Sequence, residues 1–366
     1  MREYFLIFVV AGAITYVATP LVRAVAVATN AFTPVRERDV HSTPTPRLGG
    51  VALFLGFAAA SLVARELPFL KGVYSSGQIS GVLMGAAIVC LVGAIDDIRE
   101  LDWLTKLAGQ ILAAGVMAYK GVQLLAIPIF GTNTVLPSPV LVAVTVLVVL
   151  ATANAVNFID GLDGLAVGVV AIAAVAFFIY SYYVSRSYNP PNVFSNATFI
   201  CAAVLGCCVG FLPHNFHPAR LFMGDSGALL LGLLLSAATI SLSGSVDPGA
   251  ANGGSLIAAL LPLAVPLAVL SLPFLDMVLA VLRRTLAGKN PWDADRKHLH
   301  HRMLELGHGH RNAVLLLYMW AALLALGTVS FAFVESWRAA IVIGLCLAVA
   351  VTLTVWLPRW TRPKRL

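Results

Sequence analysis

A chain of 366 residues that is 59% hydrophobic and only 11% charged is excluded from the ordinary soluble class, where about a quarter of residues carry charge. Its mean hydropathy of +0.89 and its repeated apolar runs of about 17–25 residues indicate membrane helices, and the continuity of those runs excludes a membrane β-barrel. The five Cys lie in apolar segments without a ligand or disulfide spacing, so they read as buried thiols.

In chain order, eleven spans are expected, near 4–24, 48–64, 79–95, 104–119, 139–156, 164–183, 197–212, 226–243, 255–282, 314–333 and 339–358. The first is expected to be retained, since no small-residue cleavage region follows it. With the N-terminus outside and the C-terminus cytosolic, 18 of the 24 Lys and Arg fall on the cytosolic side, as the positive-inside rule requires. The net charge of +7 is thus topological and needs no nucleic acid to explain it. All eight His fall on the same side. The fold class is an all-α polytopic membrane protein, one domain, with a small outer hairpin near 122–137 around Gly131-Thr-Asn133. The ninth span holds Pro262, Pro266 and Pro273 and is expected to tilt or break.

Cytosolic loops 30–47, 96–103, 154–164, 213–225 and 283–313 carry the chemistry. Asp96-Asp97-Ile-Arg-Glu100 places adjacent carboxylates at a helix end, where they repel unless a cation or proton relieves them. Lys106 opens the next span and could meet a phosphate. Asn154, Asn157, Asp160 and Asp163 recur at a spacing of three, and Gly161 and Gly164 among them favour a helix end opening into a tight turn. Helix capping alone would use one or two such residues. Asp225 lies between Gly224 and Ser226 just before a span, near a helix N-terminus that suits anions, with Phe222 three residues upstream able to face a base. Three His and three cations crowd Asp295-Arg-Lys-His298-Leu-His300-His301-Arg302. With no Cys and no structural-zinc spacing, that string suits a diphosphate better than zinc. Carboxylates for Mg²⁺, basic groups for phosphates and an aromatic for a base together suggest phosphoryl transfer from a nucleotide-linked donor to a lipid-borne acceptor.

These motifs, PTPRLGG (44–50), DDIRELDWLTK (96–106), NAVNFIDGLDGLA (154–166), FMGDSG (222–227) and HLHHRMLELGHGHR (298–311), resemble in order the polyprenyl-phosphate N-acetylhexosamine-1-phosphate transferases. The HLHHR form is similar to the branch that uses UDP-N-acetylglucosamine (UDP-GlcNAc). Ser42 and Thr43 depart from the basic residues that relatives often show there. The resemblance implies transfer of GlcNAc-1-phosphate from UDP-GlcNAc to a polyprenyl phosphate, undecaprenyl or decaprenyl. The products would be polyprenyl-diphospho-GlcNAc and UMP, at the start of a cell-envelope polysaccharide or linker. It implies a multi-pass bacterial plasma-membrane protein with a cytosolic site and Mg²⁺ as cofactor, Mn²⁺ as a substitute; a homodimer stays open. Asp225 and Asn157 then resemble metal ligands, and Phe222 and Asp163 uracil contacts. Lys106, His298, His300, His301 and Arg302 resemble phosphate and sugar contacts. Asp96, Asp97, Asp160 and Asp225 resemble the catalytic acidic residues, with the general base unassigned. UDP-MurNAc-pentapeptide or another UDP-HexNAc is the alternative donor. A cation-coupled transporter would place its carboxylates near mid-span, and a CDP-alcohol phosphotransferase motif would need an Arg that 160–166 lacks.

Overall fold

The computed structural model describes residues 1–32, 44–75, 77–124, 127–129, 132–134, 137–187, 195–243, 265, 267–268, 270–286 and 299–361. Along these run α1 (Arg2–Ala28), α2 (Gly49–Glu66), short α3 (Lys71–Ser75), α4 (Gln78–Arg99) and α5 (Trp103–Tyr119). A hairpin of β1 (Ile127–Ile129) and β2 (Thr132–Thr134) follows. Then come α6 (Ser138–Ile159), α7 (Leu165–Ser187), α8 (Asn196–Asn215), α9 (Gly224–Ser243), α10 (Ser271–Leu286), α11 (Leu299–Glu305), α12 (His310–Ser330) and α13 (Ser336–Thr361). Among the described residues, nine helices are long and apolar enough to cross a bilayer. Of the two other expected spans, 104–119 falls on α5, of 17 residues, and 255–282 overlaps α10, of 16, over 271–282, both helices near the lower length limit for a ~30 Å hydrocarbon core. Pro262 and Pro266 of the expected ninth span lie outside the described residues. Pro273 sits in the first turn of α10, where a missing N–H breaks no helical bond. The expected hairpin forms antiparallel with Ile129 opposite Thr132, so β2 takes up Thr132 and Asn133, which the sequence placed in the turn.

Local chemistry sets several helix starts. Asp102 caps α5 by accepting from the Thr105 N–H at 3.0 Å, and Ser195 caps α8 by accepting from Thr198 N–H at 3.3 Å. Between α1 and α8 small residues allow backbone contact: a Cβ on Gly210 would fall 2.2 Å from the Gly12 carbonyl oxygen. Helix α9 is the centre of the bundle, packed against α2, α4, α6 and α8. Its apolar window is 89% buried, against 11% for α13. The ends of α1, α4, α6 and α8 and the starts of α2, α5, α7, α9 and α12 gather at one end of the bundle. Contacts such as Arg23 Nε to the Arg220 carbonyl at 3.1 Å and Arg311 to the His217 carbonyl at 3.2 Å hold that end together.

Candidate active site

The site is built on the N-terminus of α9. Gly224, its first residue, has φ +70, a conformation that favours glycine. A Cβ there would strike the Asp97 carboxylate at 2.4 Å. That clearance lets Asp97, from the last turn of α4, cap a helix other than its own. Its Oδ1 accepts from the Asp225 N–H at 2.9 Å. Its Oδ2 accepts from the Ser226 N–H at 3.2 Å and from the Ser226 hydroxyl at 2.7 Å. Asp97 is 1% exposed, and its two oxygens face the positive end of the α9 dipole. Gly93 permits the approach of the two helices, since a Cβ on it would lie 2.5 Å from Ser226 N.

The PTPRLGG loop is stitched to the other side of this turn. Phe222 N–H donates to the Pro46 carbonyl at 2.9 Å, Gly49 N–H to the Phe222 carbonyl at 3.0 Å, and Gly50 N–H to the Met223 carbonyl at 2.9 Å. Arg47 Nε donates to the Asp97 carbonyl at 2.9 Å. Phe222 is thereby held by its backbone while its half-buried ring stays at the site end.

Lys106 joins two carboxylates. Its ammonium lies 2.8 Å from Asp96 Oδ2 and donates to Asp225 Oδ2. Asp96 Oδ1 accepts from the Leu101 N–H at 2.8 Å. The acidic pair is therefore split: Asp96 faces Lys106, and Asp97 faces the helix.

On the α6–α7 side the row of Asn and Asp straddles the helix end, as the glycines predict. Asn154 donates to Gln110 Oε1 at 2.8 Å and to the Leu150 carbonyl at 2.8 Å, which removes it from the open site. Asp160 is the residue following α6. Neither Asn157 nor Asp160 makes a side-chain hydrogen bond or ion pair to another described residue. Loss of water, then the charges of Asp225, Asp97 and Asp163, push the Asp160 carboxyl up to about 8. Asp163 is 3% exposed. Its Oδ2 accepts from His217 Nδ1 at 2.8 Å and from the Ala219 N–H at 3.1 Å. Asn215 fixes the turn by accepting from the Gly164 N–H at 3.1 Å and donating to the Leu221 carbonyl at 3.0 Å. The Tyr318 hydroxyl caps the Gly164 carbonyl.

Three of the four polar groups foreseen in the sequence thus meet around α9. Of the fourth, His298 lies outside the described residues, His300 and His301 are placed in α11, and Arg302 is exposed. The loop residues 33–43, Ser42 and Thr43 included, also lie outside. Sequence reasoning missed Ser226, Asn215, His217, Gln110 and Arg47 as parts of the site's frame. Ser226 alone carried a local signal, standing beside Asp225.

The donor set fits a hard divalent cation. The Asp160 carboxyl lies within reach of the charges of Asp225, Asp97 and Asp163, oxygen donors of the kind such an ion takes, and Lys106 holds one positive charge against Asp225.

The glycosyl transferase family 4 model matches residues 79–243, the stretch holding the acidic pair, the Asn/Asp row and Asp225. The chain is 43% identical over 360 residues to decaprenyl-phosphate N-acetylglucosaminephosphotransferase of Mycolicibacterium smegmatis, covering 97% of this chain and 88% of that one. It is 30% identical over 315 residues to a probable undecaprenyl-phosphate N-acetylglucosaminyl 1-phosphate transferase of Bacillus subtilis, covering 85% and 80%. Against a phospho-N-acetylmuramoyl-pentapeptide-transferase of Desulforudis audaxviator the identity is 33% over 228 residues, 56% of this chain and 64% of that one. With that coverage and the ordered site at the head of α9, the chain belongs to glycosyl transferase family 4, the polyprenyl-phosphate N-acetylhexosamine-1-phosphate transferases.

Proposed function

We propose that this protein transfers GlcNAc-1-phosphate from UDP-GlcNAc to a polyprenyl phosphate at the cytosolic face of a bacterial plasma membrane. Polyprenyl-diphospho-GlcNAc and UMP are the products. The observation that carries the reading is the carboxylate site at the head of α9, with Asp225 beside Lys106 and Asp97 spent on the helix cap. The near full-length likeness to a decaprenyl-phosphate enzyme favours decaprenyl phosphate as acceptor and GlcNAc over the muramoyl donor.

In this mechanism the uracil lies against Phe222 and is hydrogen-bonded from the Asp163 side. Asp225 and Asn157 would hold Mg²⁺, which when bound neutralises charge on the donor diphosphate. Lys106 gives up Asp225 to meet a donor phosphate, and His300, His301 and Arg302 take the diphosphate and sugar. The acceptor phosphate oxygen attacks the sugar-side phosphorus in line. A new P–O bond forms as the bond from that phosphorus to the bridging oxygen breaks, and UMP leaves with the electron pair. A phosphate monoester has its second pKa near 6, so at neutral pH much of the acceptor needs no base; Asp97, with both oxygens occupied, positions α9. Asp160, at the α6 end, faces the same carboxylates and is left for substrate or ion.

The test is a donor panel with purified protein and one polyprenyl phosphate. UMP is expected from UDP-GlcNAc in the presence of Mg²⁺ and not after chelation. No UMP from any UDP-sugar would overturn the proposal; UMP from UDP-MurNAc-pentapeptide alone would move the chain to the muramoyl branch. UMP without added Mg²⁺ after chelation would remove the metal.

A further inference from the structure

The His298-Leu-His-His string was the zinc candidate visible along the chain, and its spacing argued against it. A different trio assembles in space from residues far apart in sequence. Asp163 comes from the α6–α7 turn, His217 from the α8–α9 loop, and His310 from the first residue of α12. Each offers a ligand atom, and the three atoms lie within 4.8 Å of one another, the carboxylate buried and the imidazoles half-buried. Two imidazoles and one carboxylate suit Zn²⁺ or a similar transition ion, whereas Mg²⁺ takes an all-oxygen set.

The geometry is close to what an ion needs. Ligand atoms about 2.0–2.1 Å from a tetrahedral zinc stand about 3.3 Å apart. His217 Nδ1 and Asp163 Oδ2 are 2.8 Å apart as a hydrogen bond, so an entering ion replaces the shared proton and parts them slightly. The His217 and His310 rings are stacked, centroids 4.2 Å apart and planes at 21°. A metal lies in the plane of an imidazole it binds, so His310 must turn edge-on. The frame around the trio is fixed without the ion. The Ala219 N–H holds the same Asp163 oxygen at 3.1 Å, and Arg311 holds the His217 carbonyl at 3.2 Å.

We infer that Asp163, His217 and His310 form a second cation site, for a transition metal, distinct from the carboxylate site at the head of α9. Three protein ligands leave the fourth position open. The ion occupies Asp163, so it excludes the donor base and inhibits; this step rests on the assignment of Asp163 to uracil.

Zn²⁺ titrated into the purified full chain with Mg²⁺ in excess tests both parts. Bound zinc is counted by elemental analysis after gel filtration, and UMP release is followed against UDP-GlcNAc concentration. One Zn²⁺ per chain is expected, lost in His217→Gln and in His310→Gln, with the half-inhibiting Zn²⁺ concentration raised ~10-fold or more in both. His310→Cys, which replaces one ligand by another, is expected to keep the ion; a purely structural role for His310 would not restore it. Retention of zinc by both Gln variants overturns the site and points to another, such as the His298–His301 string. Loss of zinc in the Gln variants with inhibition that does not compete with UDP-GlcNAc upholds the site and overturns its overlap with the donor base.

Discussion

Asp97 and Asp160 are two carboxylates of one site that differ in their hydrogen-bond partners. Asp97 has both oxygens bound to the backbone and hydroxyl at the head of α9. Asp160 has no hydrogen bond to a described residue. One is satisfied by the protein; the other waits on something the protein does not supply. The difference separates a group that builds the site from one that uses it. An unpartnered polar group near like charges is costly to the fold, and such a cost persists where a ligand or ion relieves it.

The comparison breaks most visibly at Asp97. Replacing Asp97 by Ala strips the cap from α9 and leaves the Asp225 and Ser226 donors buried without an acceptor. Lost caps cost about 1 kcal/mol and stranded donors about 1–3 kcal/mol each. A clear fall in Tm in detergent together with loss of UMP release is expected. An unchanged Tm would mean that Asp97 is not the cap that positions α9.

Asp225→Asn keeps the size of the side chain and removes its charge. UMP release should fall at least ~10²-fold, the scale of a lost electrostatic stabiliser, with Tm little changed. Near-normal turnover would take Asp225 out of the metal site. Asp160→Asn sharpens the contrast with Asp97. The ionised form is the one that the neighbouring carboxylates penalise, so the neutral amide is expected to hold Tm or raise it while turnover drops. A fall in Tm matching that of Asp97→Ala would erase the distinction.

The reach of the sequence follows the same division. Helical spans and the loops between them are encoded in apolar length, which needs no tertiary knowledge, so the apolar segments that fall on described residues are found as helices. Asp96, Asp97, Asp160, Asp163 and Asp225 stood out because carboxylates next to spans are expensive. Their separate tasks did not. That Asp97 caps a helix beginning 127 residues later, or that Asp163 pairs with His217, depends on which helix ends meet. Adjacent carboxylates read alike in sequence, and only Gly93 and Gly224, by giving α4 access to α9, divide Asp97 from Asp96.

A smaller effect is expected at Phe222, whose backbone is pinned by Pro46 and Gly49. Phe222→Ala leaves those bonds in place and deletes only the ring. Base–aromatic stacking is worth about 1–3 kcal/mol, so KM for UDP-GlcNAc should rise roughly 5- to 150-fold with kcat less affected. A drop in kcat with KM unchanged would argue that the ring acts on the reacting groups and not on the base.

The smallest effect concerns Asn154, the member of the Asn/Asp row that points away from the site. Its amide donates to Gln110, itself 3% exposed, and so links α6 to α5. Interhelical hydrogen bonds inside a bilayer average about 0.6 kcal/mol in double-mutant cycles. Asn154→Ala should therefore lower stability modestly by leaving the Gln110 carbonyl without its donor, and adding Gln110→Leu should recover most of the loss, since removing both partners is nearly neutral. Turnover per folded molecule should stay at the level of the parent in both variants, unlike Asp160→Asn six residues away. If Asn154→Ala alone abolished UMP release at unchanged Tm, Asn154 would join Asn157 and Asp160 among the groups that meet substrate, and the boundary between frame and site on α6 would lie one turn deeper in the membrane.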